Sequence, residues 1–447
     1  KKKDFNKSDK YLKELSKFKN EGTIELIIYE SLKSYTYTFK NFKISKSKSN
    51  FGNLSLINKT FENCFLGSSS TDTFFINLLN NNEIDYSRYM YFYLNYLIES
   101  NKFDEVKDVS NEIDILDSSL LISQAKKWIN EGKFENFKRN FSCKNENDIL
   151  GEFFFLVSNL YSSQSYFEKS NFYINISNYL NPKFKFNFSL LAENYFLNKN
   201  YKKSEKILNF FNKNDDLYYW YKIKNKTKII SKKKNKKEAI TFLNSKFKLI
   251  KNPSNRILFD MANMNKNFEE HKVAISFYDQ ILLKIKPNTA IYSNILYRRG
   301  GSHERLGNFL KADKDLLDSL KINPDDAYVL NYLAYSWLER NHKIDEAMKM
   351  LERAYSQKKN DPFIIDSVGW AHYLIGDFVK AEKFLKRAII LMPNDPIVND
   401  HYGDIMWKLN RKLEAQYYWL SVLDSEDAED EIKENIALKL ILGPKEL

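Results

Sequence analysis

Residues 362–395 read PFIIDSVGWAHYLIGDFVKAEKFLKRAIILMPND, and the spacing of their small residues predicts two short antiparallel helices. The first runs from about Ile364 to Leu374 and the second from about Phe378 to Leu391, joined by a turn at Ile375-Gly376-Asp377. Pro393 stops the second helix, because proline has no N–H to donate and disfavours helical backbone before it. Gly369 and Ala381 fall where the two helices cross, and a side chain larger than a methyl there forces the axes apart. Val368, Leu385 and Ala388 supply the apolar stripe at helical spacing.

The stretch resembles a tetratricopeptide repeat of 34 residues, a pattern that asks for an apolar residue, Gly, an aromatic, Ala, an aromatic or Leu, Ala and Pro at fixed offsets. Val368, Gly369, Ala381, Leu385, Ala388 and Pro393 match, and His372 stands where Tyr is usual. The same register extends in both directions. Residues 293–326 carry Gly300, His303, Ala312, Leu316 and Pro324. Residues 327–361 carry Leu333, Ala334, Trp337, Ala347, Leu351 and Ala354, with one extra residue at the turn. Residues 396–429 carry Tyr402, Gly403, Ala415 and Trp419.

Upstream the pattern loosens but holds its period. Gly151, Tyr161, Ser170, Ser177 and Pro182 mark one unit. Leu191, Ala192, Tyr195, Ser204 and Leu208 mark the next, with Ser replacing Ala at several crossings. Two weaker units, 220–254 and 255–291, centre on Ala239 and Ala274. Degenerate units reach back to Ser87 through the turn Glu131-Gly132-Lys133. Before that, SYTYTF at 34–39 alternates like a strand, whereas Ile24, Ile27, Ile28 and Leu32 keep helical spacing. Helix agrees with the rest of the chain and is the expectation. Residues 1–20 are Lys-rich and read as a frayed helix or a tail, and 54–65 as a helix closed by Gly67.

The fold class expected is therefore all-α, a superhelical solenoid of antiparallel helix pairs. Residues 1–86 form degenerate helical repeats, 87–291 a divergent array, 292–429 a well-formed array, and 430–447 a capping helix and tail. The cap follows from Ile432, Ile436 and Leu440 on one helical face, since the last pair leaves an apolar end to cover. Stacked pairs bury their apolar faces against neighbours and present a concave inner wall.

The similarity is strongest over 297–419. YRRGGSHERLG, YVLNYLAYSWLER, DSVGWAHYLIGDF and NDHYGDIMWKLNR resemble the C-terminal segments of long proteobacterial tetratricopeptide-repeat proteins. That group includes envelope lipoproteins acting as adaptors for a carboxy-terminal processing protease. The resemblance implies a protein-binding scaffold, with the bacterial envelope or periplasm favoured over the cytoplasm. The lipid-anchoring N-terminal Cys of the lipoprotein members has no counterpart, and the sequence opens KKKDF without an initiating Met, as a processed chain does.

Composition narrows the function classes. The 447 residues are 43% hydrophobic and 29% charged, which is globular. No apolar run approaches the ~18 residues of a membrane span. The net charge of +12 raises nucleic-acid binding, but Lys outnumbers Arg about six to one beside abundant Asn, Ile, Phe and Tyr. That profile follows AT-rich codons, whereas phosphate recognition favours the planar fork of Arg. Residues 222–251 concentrate twelve Lys against one acid, Glu238, and are the alternative nucleic-acid surface. Cys64 and Cys143 fit no metal spacing and are expected to be separate buried thiols.

Nothing in the sequence assembles catalytic chemistry. It has no Gly-rich phosphate loop ending in Lys and no HExxH, and no cofactor or metal is expected. His303 and His372 occupy the position where Tyr packs between helices. Asp424, Glu426, Asp427, Glu429, Asp430, Glu431 and Glu434 form an acidic run suited to a solvated face and to helix capping. The candidate site is the inner wall of the last repeats. Asn331, Asp366 and Asp400 recur at equivalent places, Tyr335, Trp370 and Asp404 one turn further on, and Tyr297, Tyr328, Tyr373 and Trp407 lie nearby. Aromatic anchors ringed by polar groups suit peptide recognition, although Trp370 also fits packing between repeats. Three acids on this wall argue against a clamp for a peptide's terminal carboxylate. The function expected is a non-enzymatic scaffold for a protein or peptide. Its alternatives are an envelope protease adaptor, nucleic-acid binding through 222–251, and a regulatory module beside a catalytic subunit.

Overall fold

A computed structural model describes residues 4–45, 50–80, 87–114, 116, 118–211, 216–425 and 428–444. Every regular element among them is helical, SYTYTF included, since Thr23–Asn41 is one helix with Tyr35 and Phe39 buried on the same face. Glu426 and Asp427 of the acidic run lie outside the described residues. The chain divides into two compact units, Lys1–Ile257 and Leu258–Leu447.

The first unit begins with α1 (Phe5–Leu15), α2 (Thr23–Asn41), α3 (Asn53–Leu66), α4 (Thr71–Leu79), α5 (Ser87–Glu99) and α6 (Phe103–Asn111). It continues with α7 (Leu120–Asn130), α8 (Glu135–Asn140), α9 (Glu146–Ser163), α10 (Phe167–Leu180), α11 (Phe188–Leu197), α12 (Tyr201–Leu208), α13 (Asp216–Lys233) and α14 (Lys236–Phe247). Its core is aromatic. Phe61 meets Phe75, Phe92 and Phe141, and Tyr91 stacks on Phe137 at 5.3 Å. Arg88 inserts into it, bonding both oxygens of the buried Glu152 and lying 3.6 Å from the Phe155 ring centre.

The expectation of two separate thiols is corrected here: Cys64 on α3 and Cys143 between α8 and α9 form a disulfide, their Cα atoms 5.6 Å apart. Their separation of 79 residues gives no local spacing to read. Only the folding of α3 against the start of α9 brings them together.

Serine at the repeat crossings does more than stay small. The Ser158 and Ser170 hydroxyls lie 2.9 Å apart across the α9–α10 pair, and Ser177 donates to the Gly151 carbonyl. Ser204 likewise donates to the Ala192 carbonyl across α11–α12. Each buried hydroxyl is thus paired, avoiding a desolvation cost of ~1–3 kcal/mol.

Helix α15 (Asn255–Asn267) begins at the boundary and leads into the second unit. The rest are α16 (His271–Leu282), α17 (Ala290–Arg305), α18 (Phe309–Ile322), α19 (Ala327–Glu339), α20 (Ile344–Gln357), α21 (Pro362–Leu374), α22 (Phe378–Leu391), α23 (Pro396–Lys408), α24 (Lys412–Asp424) and α25 (Asp430–Leu442). Here the pairs are regular, and local sequence explains why. Asp326, Asp361 and Asp395 cap α19, α21 and α23, each carboxylate accepting from two backbone N–H groups. Proline sits at the start of α21 and α23, where its missing N–H costs nothing. The turns between paired helices pass through positive φ at Gly307, Asn341, Gly376 and Asn410, residues that tolerate the left-handed region.

The crossings are as tight as the spacing predicts. A Cβ at Gly369 would lie 2.7 Å from Leu385 Cγ, and one at Gly300 would lie 3.0 Å from Leu316 Cγ. Leu316, Leu351, Leu385 and Trp419 are fully buried, as are Ala347, Ala354, Ala381, Ala388 and Ala415. The last helix, α25, buries Ile436 and packs Ile432 and Leu440 against the core of α21–α24. It closes the apolar end as a cap.

Candidate partner-binding site

The repeat register places three first helices, α19, α21 and α23, so that their second, fifth and ninth residues recur. The fifth-position residues do not line an open acidic wall. Asp366 is 5% exposed, and its Oδ2 lies 2.8 Å from Nδ1 of His401 on the next first helix. Asp400 and Asp404 both accept from Lys439 of α25, at 2.6 and 2.9 Å, and Asp404 also accepts from the Trp419 indole. Asn331 is half-buried, its Oδ1 lacking a hydrogen-bond partner. The expected acidic surface of Asp366, Asp400 and Asp404 is therefore corrected. Asp366 and Asp404 are buried, and all three carboxylates are paired within the fold. Repeat spacing located the carboxylates but carried no information on Lys439, which a separate helix brings 35 to 39 residues back.

The two aromatic ninth-position residues, Trp370 and Tyr335, behave differently from Asp404. Trp370 is half-buried and lies between two rings. It stacks on His401 at 4.1 Å and on Tyr373 at 4.7 Å, with interplanar angles of 11° and 9°. Its indole N–H donates to Glu339 at the end of α19. Tyr335, half-buried on α19, brings its hydroxyl to 3.5 Å from His401 Nε2. Trp370 and Tyr335 thus converge on one histidine from adjacent first helices. Tyr373 itself is 1% exposed, so the expectation that it faces a partner is corrected too: it is the floor under Trp370.

Electrostatics follow from burial. Burial disfavours charge on His401, but Asp366, and behind it Asp400 and Asp404, outweigh that and raise its pKa above the ordinary histidine value. Asp404 is pushed up to about 6 by burial and by Asp400 beside it, against the pull of Lys439. Burial would lower the Lys439 pKa, yet the two carboxylates raise it. Burial, with Glu339 and Asp366 behind it, holds the Tyr335 phenol well above its usual range.

The other expected residues scatter. Tyr297 is half-buried and meets Tyr332 edge-on at 5.8 Å. Trp407 packs on Trp419 at 5.4 Å, with Lys412 above its ring. Tyr328 is 48% exposed and donates to Asp361. Tyr328 also shows what sequence reasoning missed. Its equivalents at the second position of the next first helices are Phe363, 57% exposed, and Ile397, 40% exposed. Three large apolar side chains stand in solvent at one repeat position. The recurrence is legible in the sequence, at offsets of 35 and then 34 residues, but the exposure of the three side chains is not.

The Lys-rich stretch occupies α13 and α14. Lys234 pairs with Glu238 and Lys233 approaches Glu205. Among the described residues no group of three or more His, Cys, Asp or Glu is placed to hold a metal, and no helix is long and apolar enough to cross a membrane.

No family model matches the chain. A TPR repeat-containing protein of Pseudomonas aeruginosa is 33% identical over 111 residues, which span 25% of this chain and 19% of that protein. Among solved structures, a TPR protein of Thermus thermophilus is 17% identical, covering 42% of this chain and all of that one at a TM-score of 0.38. PilF of Pseudomonas aeruginosa is 15% identical, covering 42% of this chain and 82% of its own at 0.35. The chain is thus similar to a tetratricopeptide-repeat protein over a quarter of its own length, and spans about a fifth of that curated relative.

Proposed function

We propose that this tetratricopeptide-repeat chain is a non-catalytic scaffold that binds a protein segment on the α19–α21–α23 face. The observation that carries the reading is Trp370. A large ring is held by His401, Tyr373 and Glu339 and stays partly open to solvent, and two helical turns before it in the repeat register stands the exposed row Tyr328, Phe363 and Ile397. A side chain fixed before binding loses little entropy on contact, and aromatic anchors of this kind dominate interface energetics. Asn331 and Asp400 follow the row by about one helical turn and Tyr335 by two, while Asp366 and Asp404 hold His401 and Lys439. The segment recognised is apolar, with spacing matched to the repeat.

The test is a peptide-array screen followed by titration of the best binder. Trp370→Ala and Phe363→Ala should each lower affinity ~30-fold, the ~2 kcal/mol of a buried anchor. Loss of fewer than about threefold in both folded variants would refute the site.

The Cys64–Cys143 bond favours one form of this reading, a scaffold working in an oxidising compartment. That form agrees with the envelope adaptors for a carboxy-terminal processing protease that the sequence resembles. Alkylation of the protein as it exists in cells, with and without reductant, tests it: a freely alkylated Cys64 and Cys143 would exclude that compartment.

A further inference from the structure

In the first unit, well away in sequence from the face just described, α7, α8, the turn after α10, the end of α12 and the start of α13 enclose a recess of about 350 Å³. That volume is within the range of small-molecule sites. Among its described lining residues, Lys127, Lys133, Arg139, Lys183 and Lys185 carry positive charge, and Glu131, which pairs with Lys133 at 2.8 Å, carries negative charge.

The floor is aromatic. Trp128, Phe184 and Phe211 line the recess while almost wholly buried, and Phe210 lines it half exposed. The second, independent observation is Gln124. It lines the same recess, is 1% exposed, and its amide oxygen has no hydrogen-bond partner. An unpaired buried acceptor costs ~1–3 kcal/mol, and a ligand donor in the recess would relieve it. Packing explains the aromatic floor, but it leaves the Gln124 amide oxygen unpaired beside a recess that Arg139, Lys183 and Lys185 also line.

We propose that this recess binds a small flat anion, a ring carrying a phosphate or carboxylate head and a hydrogen-bond donor on its edge. The head lies among Arg139, Lys183 and Lys185, the ring against Phe210 and Trp128, and the donor faces Gln124. The inference is independent of the scaffold reading, since it uses no residue of α19–α23.

Calorimetric titration of the full chain tests it with AMP, 2-naphthoate and inorganic phosphate. AMP or 2-naphthoate should bind with a Kd of about 1 mM or tighter, and phosphate alone ~10-fold more weakly. Preference for AMP assigns a phosphate head, and preference for naphthoate a carboxylate. Lys183→Ala with Lys185→Ala should weaken the bound probe ~10-fold. Gln124→Met, similar in volume but without the amide, should weaken AMP ~5-fold and leave phosphate unchanged. Arg139→Ala, at an exposed position, serves should the double variant fail to fold. Absence of binding by both ring probes at several millimolar, or binding unaffected by the cation variants, would overturn the proposal. So would a short single-stranded RNA that binds here more tightly than AMP and is not displaced by it.

Discussion

His401 Nδ1 and Asp366 Oδ2 lie 2.8 Å apart across 35 residues of sequence, each side chain almost fully buried. The pair fixes the imidazole plane on which Trp370 stacks. Breaking a buried pair from one side leaves the other charge uncompensated, at ~3–5 kcal/mol. Asp366→Ala should therefore destabilise the second unit by about 3 kcal/mol in chemical denaturation. It should also free Trp370, seen as a red-shifted and more quenchable fluorescence component.

The same pair sets a pH dependence. His401 binds its proton more tightly folded than unfolded. Its stabilisation is complete below about pH 6.5, the unfolded value, and is lost as pH rises through the raised folded pKa. The melting-temperature gap between wild type and His401→Gln should accordingly narrow from pH 5 to pH 9. A gap that widens over this range would mean that His401 is held neutral.

Lys439 ties α25 to α23 through Asp400 and Asp404. Lys439→Met should cost ~2–4 kcal/mol at pH 8, where both carboxylates stand unpaired. Asp404, already pushed up to about 6, takes up its proton as pH falls, so the cost should shrink at pH 5. Hydrogen exchange should quicken first in α25, because repeats couple mainly to their neighbours.

Gly369 and Gly403 test the crossings. A Cβ at Gly403 meets the Trp419 indole and one at Gly369 meets Leu385. Gly369→Val should destabilise by ~1–3 kcal/mol or more through overpacking. Exchange should rise across α19–α24 and not in α5–α8.

The disulfide closes a long loop. Chain-entropy arguments give ~4.5 kcal/mol for 79 residues, toward the upper end of measured effects. Cys64→Ser with Cys143→Ser should lower the melting temperature of the first unit by several degrees. Reductant should then have no further effect on the variant.

Much of this architecture is written in the sequence. Period, small crossings, Asp caps, Pro starts and Gly or Asn turns are local requirements of a helix pair, and each appears at a fixed offset from Gly369. Ile432, Ile436 and Leu440 announce the cap by the same logic, and SYTYTF is helical because Tyr35 and Phe39 share one buried face with Ile28. Tertiary structure decided how the charges are matched and which cysteines meet. Asp366 recurs like a groove residue but is consumed by His401. Asp400 and Asp404 are consumed by Lys439, and Cys64 finds Cys143 across 79 residues. A repeat pattern states where a side chain sits on its own helix, since that depends on 3.6 residues per turn. What it touches depends on helices that the period does not index, and for a buried charge that contact decides whether it faces a partner or holds up the residue that does.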